Sequence, residues 1–276
     1  MMEELNTKSG FVYLYGIIPF KEVEQKEVPL FNGIDENHRF LIHYQNITAV
    51  VCSVNQSEYS QEQIDLMVKN PKWLEEKAFH HHECISLIDQ YFTVLPFPFC
   101  TIFQNETNVK QMLAEHYQIL TQKLKSLHQK REWNLKIYFD SERLKTYVAE
   151  NNSTVLSFQK EIELMPKGKQ FIMRKKLQQL INDEVEKEQN NQIKKLTEEL
   201  SSFSADYLIR KNWGKEITQK NEDMLLNGDY LVAINNTEAF LSCIRDYEKT
   251  YSKHGWILQI TGPWPPYHFS KIIKEI

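Results

Sequence analysis

Residues 132–139 read EWNLKIYF, with Trp133, Leu135 and Ile137 alternating with polar neighbours. A period of two over eight residues predicts a half-buried β-strand. Residues 205–213 (ADYLIRKNW), 229–235 (DYLVAIN) and 256–261 (WILQIT) also read as strands. Between the last two, residues 237–252 carry Phe240, Ile244, Tyr247 and Tyr251 at helical spacing. After the first, residues 141–150 read as a short helix, and residues 151–165 are polar and fit neither pattern. Gly168 precedes a long helix with Met173, Leu177, Leu180, Ile181, Val185, Ile193, Leu196 and Leu200 on one face and dense charge on the other. With the inserted stretch set aside, the order is βαββαβ. That is the ferredoxin-like unit, in which two split βαβ crossovers share a four-stranded sheet. The order fixes no function, because this fold hosts many unrelated ones.

Working upstream, residues 11–18 (FVYLYGII) are β-branched and aromatic and predict a strand ending at Pro19. Residues 19–37 are polar and read as loop. Residues 40–44 and 47–54 predict a hairpin turning at Gln45-Asn46. Ser60 followed by Gln63 is a capping box opening a helix, and Asn70-Pro71 starts a second one with Pro at its first position. Leu74, Ala78, Ile85, Ile88 and Phe92 continue that second helix. Residues 93–103 are apolar and predict one buried strand despite Pro96 and Pro98. Val109, Leu113, Tyr117, Leu120, Leu124 and Leu127 form the stripe of one long helix. The expected architecture is α+β in two domains: residues 1–106, a linking helix at 107–131, and a ferredoxin-like domain at 132–276 that includes the tail.

The bulk numbers agree with packed structure. Of 276 residues, 41% are hydrophobic and 25% charged, and 13 Tyr and 15 Phe stand against 8 Gly. The net charge of −4 gives no electrostatic support for a nucleic-acid partner. Residues 1–105 hold 7 Lys+Arg and 14 Asp+Glu; the whole chain has 33 and 37, which leaves 26 and 23 for the rest. This asymmetry would orient contacts between domains or copies, though solubility alone explains it as well. The opening Met1-Met2-Glu3-Glu4 is acidic and lacks the apolar stretch of a signal peptide. Four cysteines (Cys52, Cys84, Cys100 and Cys243) form no CxxC pair, which fits reduced thiols in a cytoplasmic protein. The uncharged run at 90–105 is too short for a membrane helix, which needs about 20 apolar residues.

His80-His81-His82-Glu83-Cys84 is the one cluster suggestive of metal chemistry. His80 and Cys84 are four apart and share a helix face, while His81 and Cys84 are three apart. Two such ligands begin a zinc site, but three or four are needed, and Cys52, Cys100, His38 and His43 would have to be gathered by the fold. The plainer reading is exposed histidines and an inward cysteine. Cys84 near His80 is also the one local candidate for a thiol nucleophile. No GxSxG, P-loop, GxGxxG or HExxH is present. The expectation is therefore no catalytic residue, no bound cofactor and no metal. Lys167, Lys169, Arg174, Lys175 and Lys176 would meet an acidic partner, or else simply form a solvated helix end.

The most distinctive stretch is Thr261-Gly262-Pro263-Trp264-Pro265-Pro266-Tyr267-His268-Phe269. Three prolines stop the strand and stiffen the chain, so Trp264, Tyr267 and Phe269 need a place for their rings. They either pack back on the body or present a rigid aromatic surface to a partner.

This stretch resembles the TGPWPPYxF ending of the gas vesicle protein F/L family. Tyr13-Leu14-Tyr15-Gly16-Ile17-Ile18 is similar to its YxYGI strand, and Ala49-Val50-Val51-Cys52-Ser53-Val54 to its AVVSxV strand. Trp73-Leu74 with a following histidine, Val94-Leu95-Pro96-Phe97, residues 132–138 and Asn227-Gly228-Asp229-Tyr230-Leu231-Val232 resemble further family segments in the family's order. Two positions depart: Pro98 stands where the family has Arg, and Cys100 where it has Gly. The resemblance implies two α+β domains, the second a modified ferredoxin-like fold. It also implies a non-enzymatic accessory or minor structural role in gas vesicle assembly, in the cytoplasm and associated with the vesicle. The implied partners are the hydrophobic shell protein and other gas vesicle proteins, with no nucleic acid and no membrane. Trp264, Tyr267 and Phe269 are the candidate partner-binding residues. The rivals are a metal-assisted enzyme and a ligand-sensing ferredoxin-like module.

Overall fold

The computed structural model describes residues 10–271. The acidic opening at 1–4 lies outside them. Contacts divide the chain into two compact units: one runs to Arg131 and also takes in the stretch from Trp264, and the other is Glu132–Pro263.

The first unit is built on β1 (Phe11–Pro19), buried along nearly its whole length. α1 (Phe20–Val23), a single turn, follows within the stretch expected as loop. β2 (Arg39–Tyr44) and β3 (Ile47–Val54) form the expected hairpin, with Gln45 at φ 48 in the turn. α2 (Gln61–Met67) is capped by Ser60, whose hydroxyl accepts from the Gln63 N–H. α3 (Pro71–Tyr91) is capped by Asn70, which accepts from the Lys72 and Trp73 N–H groups. The predicted strand at 93–103 is instead two short ones, β4 (Leu95–Pro96) and β5 (Ile102–Phe103), both paired with β1. Prolines cannot donate to a ladder, and Cys100 at φ 61 turns the chain between the two pieces. The predicted helix at 107–131 is likewise two, α4 (Glu106–Glu115) and α5 (Tyr117–Leu127), broken at His116. The sheet order is β2-β3-β1-β4, with β5 also on β1. α3 and α5 both lie against β1, so β1 needs apolar residues on both faces, which explains its unbroken hydrophobic run. Gly16 follows a bulge in β1 and lies under β4, where an added Cβ would stand 2.9 Å from the Leu95 carbonyl oxygen.

The second unit begins at β6 (Lys130–Phe139), most of which lies beyond its boundary. α6 (Ser141–Asn151) follows, then α7 (Ser153–Glu163) in the stretch the sequence left undecided, then α8 (Lys167–Phe203). Leu144, Val148, Val155, Ile181 and Val185 close a small core among these helices. The far end of α8 belongs to a different core, where Leu196 and Leu200 meet Trp133, Leu135, Ile137, Tyr230, Phe240 and Ile244. β7 (Ser204–Ile209), α9 (Lys215–Thr218), β8 (Asp223–Ala233), α10 (Thr237–Tyr251) and β9 (Trp256–Trp264) complete the unit. The sheet order is β7-β8-β6-β9, with the first strand of the unit between the third and fourth. That is the order of the split βαβ unit that the sequence pattern predicts. Gly262 adopts φ 129, and a Cβ there would stand 2.9 Å from the Glu132 carbonyl oxygen, so a side chain is strained where the tail begins.

Candidate partner-binding site

Three consecutive histidines on α3 point about 100° apart, and each meets a different environment. His81 turns inward and is 4% exposed. Its Nε2 donates to the Phe97 carbonyl at 3.2 Å, which leaves Nδ1 to accept from the Tyr13 hydroxyl at 2.8 Å. The Tyr13 oxygen in turn accepts from the Cys100 N–H at 3.1 Å. Tyr15 stacks on the same imidazole with centroids 5.6 Å apart, and Phe99 meets its edge at 5.8 Å. Burial drives the His81 pKa down to about 4, so the ring is neutral in this network.

A histidine held neutral stabilises the fold fully above its unfolded pKa of about 6.5 and loses that contribution as pH falls toward its folded value. Asp89 acts in the opposite sense. Burial pushes its carboxyl up to about 6 against the pull of Arg131, whose Nε lies 3.2 Å from Oδ2. Its protonated form is therefore favoured by the fold, and it adds stability as pH falls through that value. Comparison with His81→Gln isolates the histidine contribution. Between about pH 7 and pH 4 the wild type is expected to lose more stability than the variant, by up to about 3 kcal/mol. Urea unfolding at both pH values reads this directly, and an equal pH response in the two proteins would refute it.

His80 faces the other way. Its Nε2 lies 3.1 Å from the Asn32 carbonyl oxygen and 3.5 Å from the Cys84 sulfur. Burial pushes the Cys84 thiol up to about 12, the reverse of what a thiolate nucleophile requires. Cys52 Sγ sits 3.6 Å from the Tyr15 hydroxyl, His43 Nδ1 pairs with Thr48 Oγ1 at 2.9 Å, and Cys100 lies in the turn after β4. Among the described residues, no group of three potential metal-binding side chains includes His80, His81 or Cys84.

His82 receives the C-terminal tail. Its Nδ1 is hydrogen-bonded to the Tyr267 hydroxyl at 2.8 Å, and its ring lies 5.6 Å from that of Trp264. The tail folds into a tight turn in which the Tyr267 N–H donates to the Pro265 carbonyl and the Ser270 N–H to the Pro266 carbonyl. Lys123 on α5 donates to the Phe269 carbonyl at 3.2 Å. Phe269 is 6% exposed, so its ring serves as an anchor and offers no surface, while Tyr267 packs against the core under α3. Trp264 is 38% exposed. One turn before His82, on the same face of α3, Phe79 is 61% exposed. The prolines and the aromatic spacing point to the tail, but nothing in the sequence identifies His82 as its seat. The basic residues Lys167, Lys169, Arg174, Lys175 and Lys176 are all exposed at the start of α8, beside exposed Phe171 and Ile172.

These features define an α+β protein with two sheets whose stiff aromatic tail is pinned to a histidine-bearing helix. No helix among the described residues is long and apolar enough to cross a membrane. The family model described as gas vesicle synthesis protein GvpL/GvpF matches residues 11–271, and the chain belongs to that family. It is 22% identical to gas vesicle protein L of Haloferax mediterranei, over 86% of this chain and 72% of that one. It is 23% identical to gas vesicle protein F1 of Halobacterium salinarum, over 95% of this chain and 93% of that one. The fold is similar to the crystal structure of GvpF from Anabaena sp. PCC7120, with a TM-score of 0.67, 18% identity, and coverage of 96% of this chain and 99% of that one.

Proposed function

We propose that this protein serves gas vesicle formation as an accessory or minor structural component in the cytoplasm. It binds the small hydrophobic shell protein, other gas vesicle proteins, or both, and acts without turnover. The observation that carries this reading is the part-exposed Trp264, held beside His82 by the Tyr267–His82 hydrogen bond and the buried Phe269, with exposed Phe79 one turn earlier on α3. Rigid aromatic rings lose little entropy on binding and supply large apolar contact area, the usual make-up of an interface hot spot. A shell subunit with a large apolar face aggregates unless it is covered until placed. A soluble body that presents such rings reversibly meets that need.

The test is co-expression of the tagged chain with the shell protein and the other vesicle proteins, followed by capture. Specific recovery of the shell protein supports a holding or shell-component role. Recovery of accessory proteins alone makes the chain a scaffold within an assembly complex. Recovery of none of them refutes the reading.

A further inference from the structure

The second unit leaves one edge of its sheet open at β7. The strand pairs with β8 on its inner side and stands last in the sheet order. Open edges are normally guarded by charge, proline or a bulge, because their unpaired amides invite another strand. A bulge does occur between Ser204 and Asp206. Beyond it come Tyr207, Leu208 and Ile209, which are uncharged and 43%, 41% and 50% exposed. Three consecutive apolar residues exposed on both faces of an edge strand are unusual on a surface that meets only water.

The direction of the edge groups follows from one hydrogen bond. The Arg210 N–H donates to the Asn227 carbonyl at 2.7 Å, so residue 210 faces β8. By alternation Leu208 also faces β8, and the backbone groups of Tyr207 and Ile209 face outward. The outward amide of Tyr207 is held by its own neighbour, Asp206, whose Oδ1 accepts it at 2.8 Å. An edge amide satisfied by an adjacent side chain is available for exchange with a better partner.

We propose that β7 is a self-association edge, pairing antiparallel with β7 of a second copy about a two-fold axis at Leu208. The outward-facing backbone groups of Tyr207 and Ile209 and the charges at 206 and 210 select this register. It sets Tyr207 against Ile209 of the second copy, and Ile209 against its Tyr207, as hydrogen-bonded pairs using the outward-facing groups. It sets Leu208 against Leu208 as the close, non-hydrogen-bonded pair. It also sets Asp206 against Arg210 of the second copy on each side. Opposite charges directly across a strand pair are favourable, and an isologous contact repeats each one twice. Arg210 already lies 3.5 Å from buried Asp229, so the guanidinium is engaged on its own copy before the second carboxylate approaches. The two four-stranded sheets become one continuous sheet. A contact of one strand per copy is small, so the dimer is weak and forms with rising concentration.

Sedimentation equilibrium of the full chain from micromolar to near-millimolar concentration tests this. A reversible monomer–dimer equilibrium is expected. Leu208→Lys brings two ammonium groups together at the axis and is expected to weaken association by about tenfold or more, with an unchanged circular dichroism spectrum. Leu208→Cys is expected to form an interchain disulfide on mild oxidation, since a non-hydrogen-bonded pair brings Cα atoms to about 4.5 Å. Tyr207→Cys is expected not to, because that register holds the two copies of residue 207 about 7–8 Å apart on the diagonal. A chain that stays monomeric throughout and fails to cross-link at residue 208 overturns the proposal. So does a dimer that survives Leu208→Lys, or cross-linking as efficient at 207 as at 208. A β7 edge occupied only by a different gas vesicle protein overturns it as well.

Discussion

Tyr15→Ala is expected to lower the unfolding free energy by about 3–5 kcal/mol, a large part of the 5–15 kcal/mol that holds a typical domain. The ring is fully buried in the middle of β1. It stacks on His81, meets Phe31 edge-on at 5.3 Å and tilts against Tyr13 at 5.0 Å. Val50, Ile85, Ile88 and Phe92 belong to the same core. Removing the ring opens a cavity that sheet and helix cannot both close, and it strips the packing from a neutral histidine. The hydroxyl matters far less. It meets weak sulfur partners, the Cys52 sulfur at 3.6 Å and the Cys84 thiol, so Tyr15→Phe is expected to cost no more than about 1 kcal/mol. Urea unfolding of the two variants checks the ratio. Equal losses would move the weight from the ring to the hydroxyl and refute the packing argument.

Much of this fold was legible because its signals are local. Ser60 and Asn70 cap their helices with the atoms their sequence positions offered, and the βαββαβ order emerged from periodicity alone. Two breaks were invisible for a physical reason. The apolar stripe from Val109 to Leu127 runs on through His116 because both helices turn the same face to the protein interior. Periodicity records the face and not the continuity of the hydrogen-bond ladder. The run at 93–103 is apolar throughout, yet Pro96, Pro98 and the left-handed Cys100 divide it. The family resemblance carried a hint here. Its pattern has Gly where Cys100 stands, and Gly is the residue for which φ near 60° costs nothing. Asn152 is a cap that periodicity does not reveal: it accepts from the Thr154 and Val155 N–H groups and starts α7 in a polar stretch whose pattern is ambiguous. The site itself was the least legible part. His80, His81 and His82 are chemically identical. One becomes a buried neutral hub, one faces a loop carbonyl and one seats the tail, because tertiary neighbours alone distinguish them.

That seat makes the second prediction separable from general damage. Trp264→Ala removes a ring that is 38% exposed and packs beside His82, so folding stability is expected to fall by about 1–3 kcal/mol, a cost that urea unfolding measures separately from capture. Capture of the shell protein is expected to fall by about tenfold or more, equivalent to at least 1.4 kcal/mol. Phe269→Ala acts differently. It removes a buried anchor five residues away and leaves both Trp264 and Phe79 in the chain. The tail is then held by Tyr267–His82 and the Lys123 contact, each a net contribution of about 1 kcal/mol. Limited proteolysis is expected to cut this variant near the prolines' end of β9 while sparing the rest, and capture is expected to fall along with the loss of the tail's pose. Two results would sink the idea. Normal capture by Phe269→Ala with a proteolytically released tail would show that the pose is irrelevant. Normal capture by the Trp264→Ala and Phe79→Ala double variant would show that these rings are not the contact surface. A loss confined to the anchor variant would instead assign the tail a purely structural role, in which the prolines and aromatics close the first unit and the partner binds elsewhere.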